Sequence, residues 1–454
     1  MSNLQKRNTF PRLGASIAVF GLLGFQTQML NAADVADEAV TYSGQVAQII
    51  NENCVVCHRE GGIGPMELVN YDQVRPWAPL IQLKVANREM PPYAYDHDIG
   101  IQDLQGDWRL SQGDIDTVVA WVNQGSPLGN PEEVPPAPAL PGLNDWNFSE
   151  QFGEPDIMVS SVPIDVPANG NDLWDKHFVD SGLTEERCIK AVQIKPRGEA
   201  KTVVHHANTY FAEVTEAGEV ERIPLTEYAM GKWGEIVPEG VCRIALPDSR
   251  VQWDIHMFPG GLGATAPNAV VEDNIVDLGI WLHPKGYKAK ISQDLAFYRL
   301  LQGPLFIPPH GSLMSQGIHT FDHPVRIDSF QPHGHLRMTA ASLEIFYPEA
   351  GNSQGRTELV SMVSNWSATW HHSHLYGPDS APLLPTGAVM IIKQWYDNTA
   401  NNPNNPDPRQ WVGWGQRTAD EMNHAWIAIS HLDEETYQEL VEERERKKQS
   451  QSGD

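Results

Sequence analysis

Two groupings of residues in this chain have the types and spacing to do chemistry. The first is Cys54-Val-Val-Cys57-His58. Two thiols at that spacing can add to the vinyl groups of one haem, and the adjoining imidazole reaches the iron from the same turn. A redox disulfide or a zinc knuckle also uses C-x-x-C. Neither needs His58, and the sequence has no second C-x-x-C to complete a zinc site. Met90, in Arg88-Glu-Met-Pro-Pro92, leads as sixth iron ligand, because a thioether raises the haem potential and suits electron transfer. Met66 and His97 are the alternatives, and Met66 follows His58 on a short tether.

The second grouping is made of histidines: 17 in all, 15 of them beyond residue 150. His205 and His206 are adjacent, so on a regular strand they point to opposite faces. Both can serve one metal only near a bulge or a strand end. His283, after the strand-like run ending Ile280-Trp-Leu, is placed to close a three-imidazole site, with His256 as its competitor. His333-Gly-His335 is an H-x-H pair, which a strand presents on one face. Imidazoles suit Cu, Zn, Fe or Ni, and a thioether added to them selects copper. Trp370-His-His-Ser-His-Leu-Tyr376 reads as an exposed polar loop, and His310, His319 and His323 as hydrogen-bonding residues at strand edges. Hydrolysis at zinc would call for an H-E-x-x-H or its equivalent, which is absent.

These residues need elements to hold them. Residues 34–128 read as a small helical domain: Gly44–Ile50 has helical spacing up to Cys54, and Ser111 caps a helix with Ile115, Val118, Val119 and Val122 on one face. Residues 129–150 form a linker whose Pro-rich run, Asn130–Leu143, forbids helix and central strand. Beyond it, short apolar runs alternate with Gly, Pro, Asn and Asp clusters. That pattern implies two antiparallel sandwiches over 151–300 and 301–432, followed by a charged helical tail at 433–454. The expected fold is thus a small all-α domain followed by two all-β, jelly-roll-like sandwiches.

Lys6, Arg7 and Arg12 followed by a short apolar stretch, Leu13–Phe25, and Asn31-Ala-Ala33 read as an export signal over residues 1–33. The expected location is the periplasm or outside the cell, with no membrane span once the signal is removed. In an oxidising compartment Cys188 and Cys242 are expected to pair, the alternative being two buried thiols. The formal charge is −26, and losing the signal makes the chain more acidic still. Such a surface repels phosphate backbones, which excludes nucleic acid as a partner.

The segment around Cys54–His58, with Pro65 shortly after, resembles class I cytochromes c. From about residue 151 to 432, the order His205-His206, His283, His333-x-His335, Asp420-Glu-Met422 resembles the copper type II, ascorbate-dependent monooxygenases. These include the peptidylglycine α-hydroxylating and dopamine β-monooxygenases. The stretch Tyr396–Pro408 and Trp414–Thr418 is similar to bacterial relatives fused to a cytochrome. The resemblance implies one copper on His205, His206 and His283 for electron transfer. It implies a second on His333, His335 and Met422, where O₂ and a small-molecule substrate meet and a C–H bond is hydroxylated. Haem c and two coppers are the implied cofactors, and ascorbate or a periplasmic carrier the donor. Peptide-amidating members carry Arg where Gln331 stands, a substrate-contacting residue at the place of His424, and Tyr at the place of Trp426, so a peptidylglycine substrate is not implied. The other class of function consistent with these ligands is a copper-binding or electron-transfer protein without turnover.

Overall fold

The computed structural model describes residues 39–454, apart from 141, 143–144, 215–219, 230–231, 233, 260–269, 301–304, 349–353 and 452–454. Val40–Asp454 form one compact unit. The export signal lies outside the described residues.

The expected all-α N-terminal domain is not there. Its helices are short: α1 (Ala47–Asn53), α2 (Ala78–Ala86) and, beyond a two-residue strand β1 (Leu104–Gln105), α3 (Gln112–Asn123). Ser111 caps α3 as expected: its Oγ accepts from the Asp114 N–H at 3.1 Å while the Asp114 carboxylate reaches back to the Ser111 N–H. That face buries Ile115, Val118 and Trp121. What overturns the separate domain is the run between α2 and α3. Tyr93, Tyr95 and Leu104 belong to the core of the C-terminal half, and the Tyr95 hydroxyl donates to the Ile101 carbonyl at 2.7 Å. Burying an apolar side chain of this size contributes about 2 kcal/mol, so the extended run gains more by joining the sheet than by staying in a helical cluster. The Pro-rich run is also docked rather than free. Asn51 donates to the Pro136 carbonyl, Val134 and Leu140 pack on the Tyr42–Trp121 core, and Trp146 meets Trp281 edge-on at 5.7 Å.

The middle of the chain makes a sandwich. β2 (Leu173–Asp180), β3 (Arg187–Pro196), β4 (Val204–Val214), β5 (Val220–Ala229), β6 (Arg250–Met257) and β7 (Val276–Leu282) are its main strands. One face is the antiparallel sheet β2-β6-β4-β5. β3 and β7 pair on the other face, and Val204, Phe211, Trp253, Ile189 and Leu278 fill the space between. Cys188, on β3, is bonded to Cys242, a bond that an oxidising compartment permits.

A second sandwich follows: β8 (Ile291–Arg299), β9 (Ser312–Thr320), β10 (Ser329–His333), β11 (Met338–Tyr347), β12 (Arg356–Val363), β13 (His374–Tyr376), β14 (Val389–Asp397) and β15 (His424–His431). Its outer sheet is β9-β14-β11-β12, and its core holds Phe330, Leu343, Ile392 and Ile427. α4 (Glu434–Gln451) is the expected charged tail. One sheet runs through all three parts, in the order β1-β13-β10-β15-β8, then Val241–Ala245, β3, β7 and Ile157–Ser160. Among the described residues no helix is long and apolar enough to cross a membrane.

Candidate metal centre

β4 and β6 are antiparallel, with His206 directly opposite His256, and the register slips between His256 and Met257. The slip at the strand end lets neighbouring residues turn to one side, the condition adjacent histidines need. The His256 Nδ1 lies 3.3 Å from the His205 Nδ1 and 3.2 Å from the His206 Nε2, and the three rings offer one nitrogen each within a 4.8 Å span. A tetrahedral cation with metal–nitrogen bonds of about 2.0 Å separates its nitrogens by about 3.3 Å. The three imidazoles thus stand at ligand spacing. Asp172 lies 3.2 Å from the His256 Nε2 and also accepts from the Thr418 N–H and hydroxyl. A carboxylate there orients the ring and raises its basicity. Trp174 stacks flat on His256 at 4.2 Å.

His283 stands elsewhere. It follows β7, on the opposite face of the sandwich, where its N–H donates to the Cys188 carbonyl and its ring stacks on Tyr287 at 3.8 Å. The third imidazole beside His205 and His206 is His256.

The second group is Glu227, His333 and His371, again with one ligand atom each inside 4.8 Å. Its members come from three places: β5 of the first sandwich, the end of β10, and the loop before β13. His333 stacks on its cross-strand partner His424 at 4.4 Å and lies 5.5 Å from His335. Both ring nitrogens of His333 and the Nε2 of His371 are buried without a hydrogen-bond partner. Orphaned imidazole nitrogens at this depth are costly unless something ligates them. Gln331 donates its amide N–H to Glu227 and accepts from Lys232. Met422 is buried on the neighbouring loop, where Glu421 accepts from the N–H groups of His335 and Arg337 and the Met422 carbonyl accepts from the Tyr396 hydroxyl.

The loop 370–376 is not the exposed segment expected: His371, His372 and His374 are each 3 % exposed or less. Three imidazoles flanked by Trp370, Leu375 and Tyr376 were a burial signal that the polar reading passed over. Glu227 and Asp172 had no local signal, since each acquires its histidine neighbours only through the tertiary fold.

The groups adjoin. His205 is 5.5 Å from His371, and His206 is 5.8 Å from His333, ring to ring. Burial pushes the His205 and His335 imidazoles down to about 4 and His424 to about 3, and holds His206, His333 and His371 well below the usual range. All six are therefore neutral at pH 7, the form that ligates metal. The same burial pushes the Glu227 and Glu421 carboxyls up to about 7.

In the N-terminal segment Cys54 and Cys57 are unpaired, and burial raises their thiols to about 12 and 11. The His58 Nδ1 meets the Met66 carbonyl at 3.0 Å, which leaves the Nε2 as the nitrogen that would ligate an iron. A Cβ on Gly64 would sit 2.5 Å from that Nδ1, so only glycine lets the chain pass the ring. Two free thiols and an oriented imidazole fit covalent haem. Met90 lines a separate groove of about 920 Å³ with Arg88, Tyr93, His97, Trp366 and Trp370, a lining that does not include Cys54, Cys57 or His58. Lys201, four residues before His205, donates to the Gly61 carbonyl just beyond His58.

No family model and no curated protein matches this chain. Among solved structures, the major capsid protein P2 of bacteriophage PM2 aligns over 60% of this chain and 97% of its own, at 7% identity and a TM-score of 0.26. N-glycanase F (PNGase F) aligns over 61% and 96%, at 9% identity and 0.27. Likenesses this slight carry no functional inference.

Proposed function

We propose that this is an exported oxidoreductase that holds copper on its buried histidines and haem on Cys54, Cys57 and His58, and that hydroxylates a C–H bond of a small substrate with O₂. One observation carries the reading: seven imidazoles, His205, His206, His256, His333, His335, His371 and His424, packed ring against ring, five of them in two groups with ligand atoms at metal-binding spacing. Copper bound there supplies one-electron redox chemistry and O₂ activation, and haem supplies a one-electron store.

The chain's own residues have separable tasks. His205, His206 and His256 form an all-nitrogen set, and Asp172 fixes the His256 ring. His333 and His371, with Glu227 at ligand spacing and His335 beside His333, make a set of mixed character, to which the resemblance adds Met422. The mixed set is assigned the oxygen chemistry, as the resemblance implies, and the all-nitrogen set the transfer of electrons. The Lys201–Gly61 contact ties the loop after His58 to the helical turn just before the strand of His205, so a donor on His58 would stand on the side of the all-nitrogen set. Low-potential carriers or ascorbate would refill it from solution, in the periplasm or outside the cell.

A second reading, copper binding without turnover, is favoured by the 5.8 Å approach of His206 to His333, which brings the two sets ring to ring. Metal analysis with EPR, combined with O₂ uptake under ascorbate, separates the readings. Two coppers and one haem iron per chain, with O₂ uptake lost in Met422→Ala, support the oxygenase. Two coppers with no O₂ uptake across a panel of small substrates support binding alone. Zinc in place of copper overturns both.

A further inference from the structure

Four parts of the chain meet around a second cavity, of about 440 Å³, which the metal sets do not use: the run from Tyr93 to Trp108, the turn at Asn147-Phe148, the residues Lys232, Gly234 and Ile236, and His372–Leu375. That volume is typical of a small-molecule site. His371 faces the rings of His205 and His333, whereas His372 faces the other way, onto Tyr93 at 5.3 Å and Trp108 at 5.4 Å.

The walls are aromatic and fixed. Tyr93 meets Trp108 edge to face at 5.1 Å, and the Trp108 indole N–H donates to the Pro92 carbonyl. Phe148 closes one side against Gly234, whose φ of +105° and absent Cβ permit the approach: a Cβ would lie 2.8 Å from the Phe148 ring. The Tyr93 hydroxyl and the His372 Nε2 are closed off behind these walls, each without a partner. His372 is 3 % exposed and Tyr93 8 %. The charges at the rim are already matched, Lys232 by Glu235 at 2.8 Å and Asp107 by Arg109 at 2.6 Å. Nothing remains to neutralise an ionic ligand. A flat, uncharged guest would lie against the aromatic walls.

We infer that this cavity is a binding site for an uncharged, planar aromatic molecule of one or two rings. The site is built from protein alone, so it is tested on metal-free protein, and its fate is independent of the copper and haem assignments. The experiment is calorimetric titration with 2-naphthol. One site per chain is expected, with affinity falling at least tenfold in Trp108→Ala. Phe148→Leu keeps an apolar wall while removing the flat ring, and at least a threefold loss is expected there. No binding up to the solubility limit of the probe, or equal affinity in the wild type, Phe148→Leu and Trp108→Ala, overturns the inference.

Discussion

The two histidine sets are built in opposite ways. His205, His206 and His256 lie on two paired strands of one sheet, opposite each other in register. Glu227, His333 and His371 come from a strand of one sandwich, a strand of the other and a loop. The first set needs only a hairpin-like pairing and one register slip. The second exists only when both sandwiches and the intervening loop are in place. The first set is therefore a property of a sheet, and the second a property of the assembled molecule.

Substitutions can break or sharpen that contrast. His256→Ala should cost the largest effect. One metal equivalent should be lost outright, beyond the ~100-fold that removing an outer partner costs, while the metal on His333 and His371 stays; metal analysis after dialysis reads this. His371→Ala should remove the other equivalent and leave the first, so equal losses of both metals in either variant would mean a single fused site.

Acid comes next. Six imidazoles of these sets are neutral in the fold, their pKa held below the ordinary value of 6.5. Their stabilising contribution is present above about 6.5 and is lost as pH falls, because the unfolded chain then binds more protons. Glu227 and Glu421, raised to about 7, act in the opposite direction: they favour the fold at low pH and lose that advantage as pH rises through 7. Six groups outweigh two, so the melting temperature of metal-free protein should drop by about 5 °C between pH 7.5 and pH 5.5. Scanning calorimetry at the two pH values checks the sign; a rise would show that the carboxyls dominate. Asp172→Asn should weaken only the first metal, by about tenfold, in a competition titration with a chelator. His283→Ala should change neither metal by as much as twofold in the same assay. A loss there would restore the family-like ligand set and displace His256.

How much of this could be read from the sequence follows the same contrast. The strand-rich texture after residue 150, the Ser111 cap, the charged C-terminal helix and the Cys188–Cys242 bond all reflect local pattern or composition, and the structure has them. His205 and His206 were legible as a pair, and the structure adds the register slip that lets both serve. His283 was misplaced because order along the chain does not say which face of a sandwich a strand joins. His256 competed on sequence alone and prevailed through its register with His206. The helical reading of residues 34–128 failed at Tyr93, Tyr95 and Leu104, whose apolar surface is buried by strands more than two hundred residues away. His371 was hidden by its polar neighbours, and Glu227 and Asp172 by distance in the chain.

The two-residue strand β1 carries a consequence of its own. It caps β13, so the N-terminal segment covers what would otherwise be an open sheet edge with unpaired amides. Chains shortened to begin after the Pro-rich run would uncover that edge beside Leu375 and Tyr376, a template for strand addition between molecules. The segment bearing Cys54 and Cys57 thus also protects the β-sandwiches from self-association, and attempts to produce those sandwiches alone should meet aggregation.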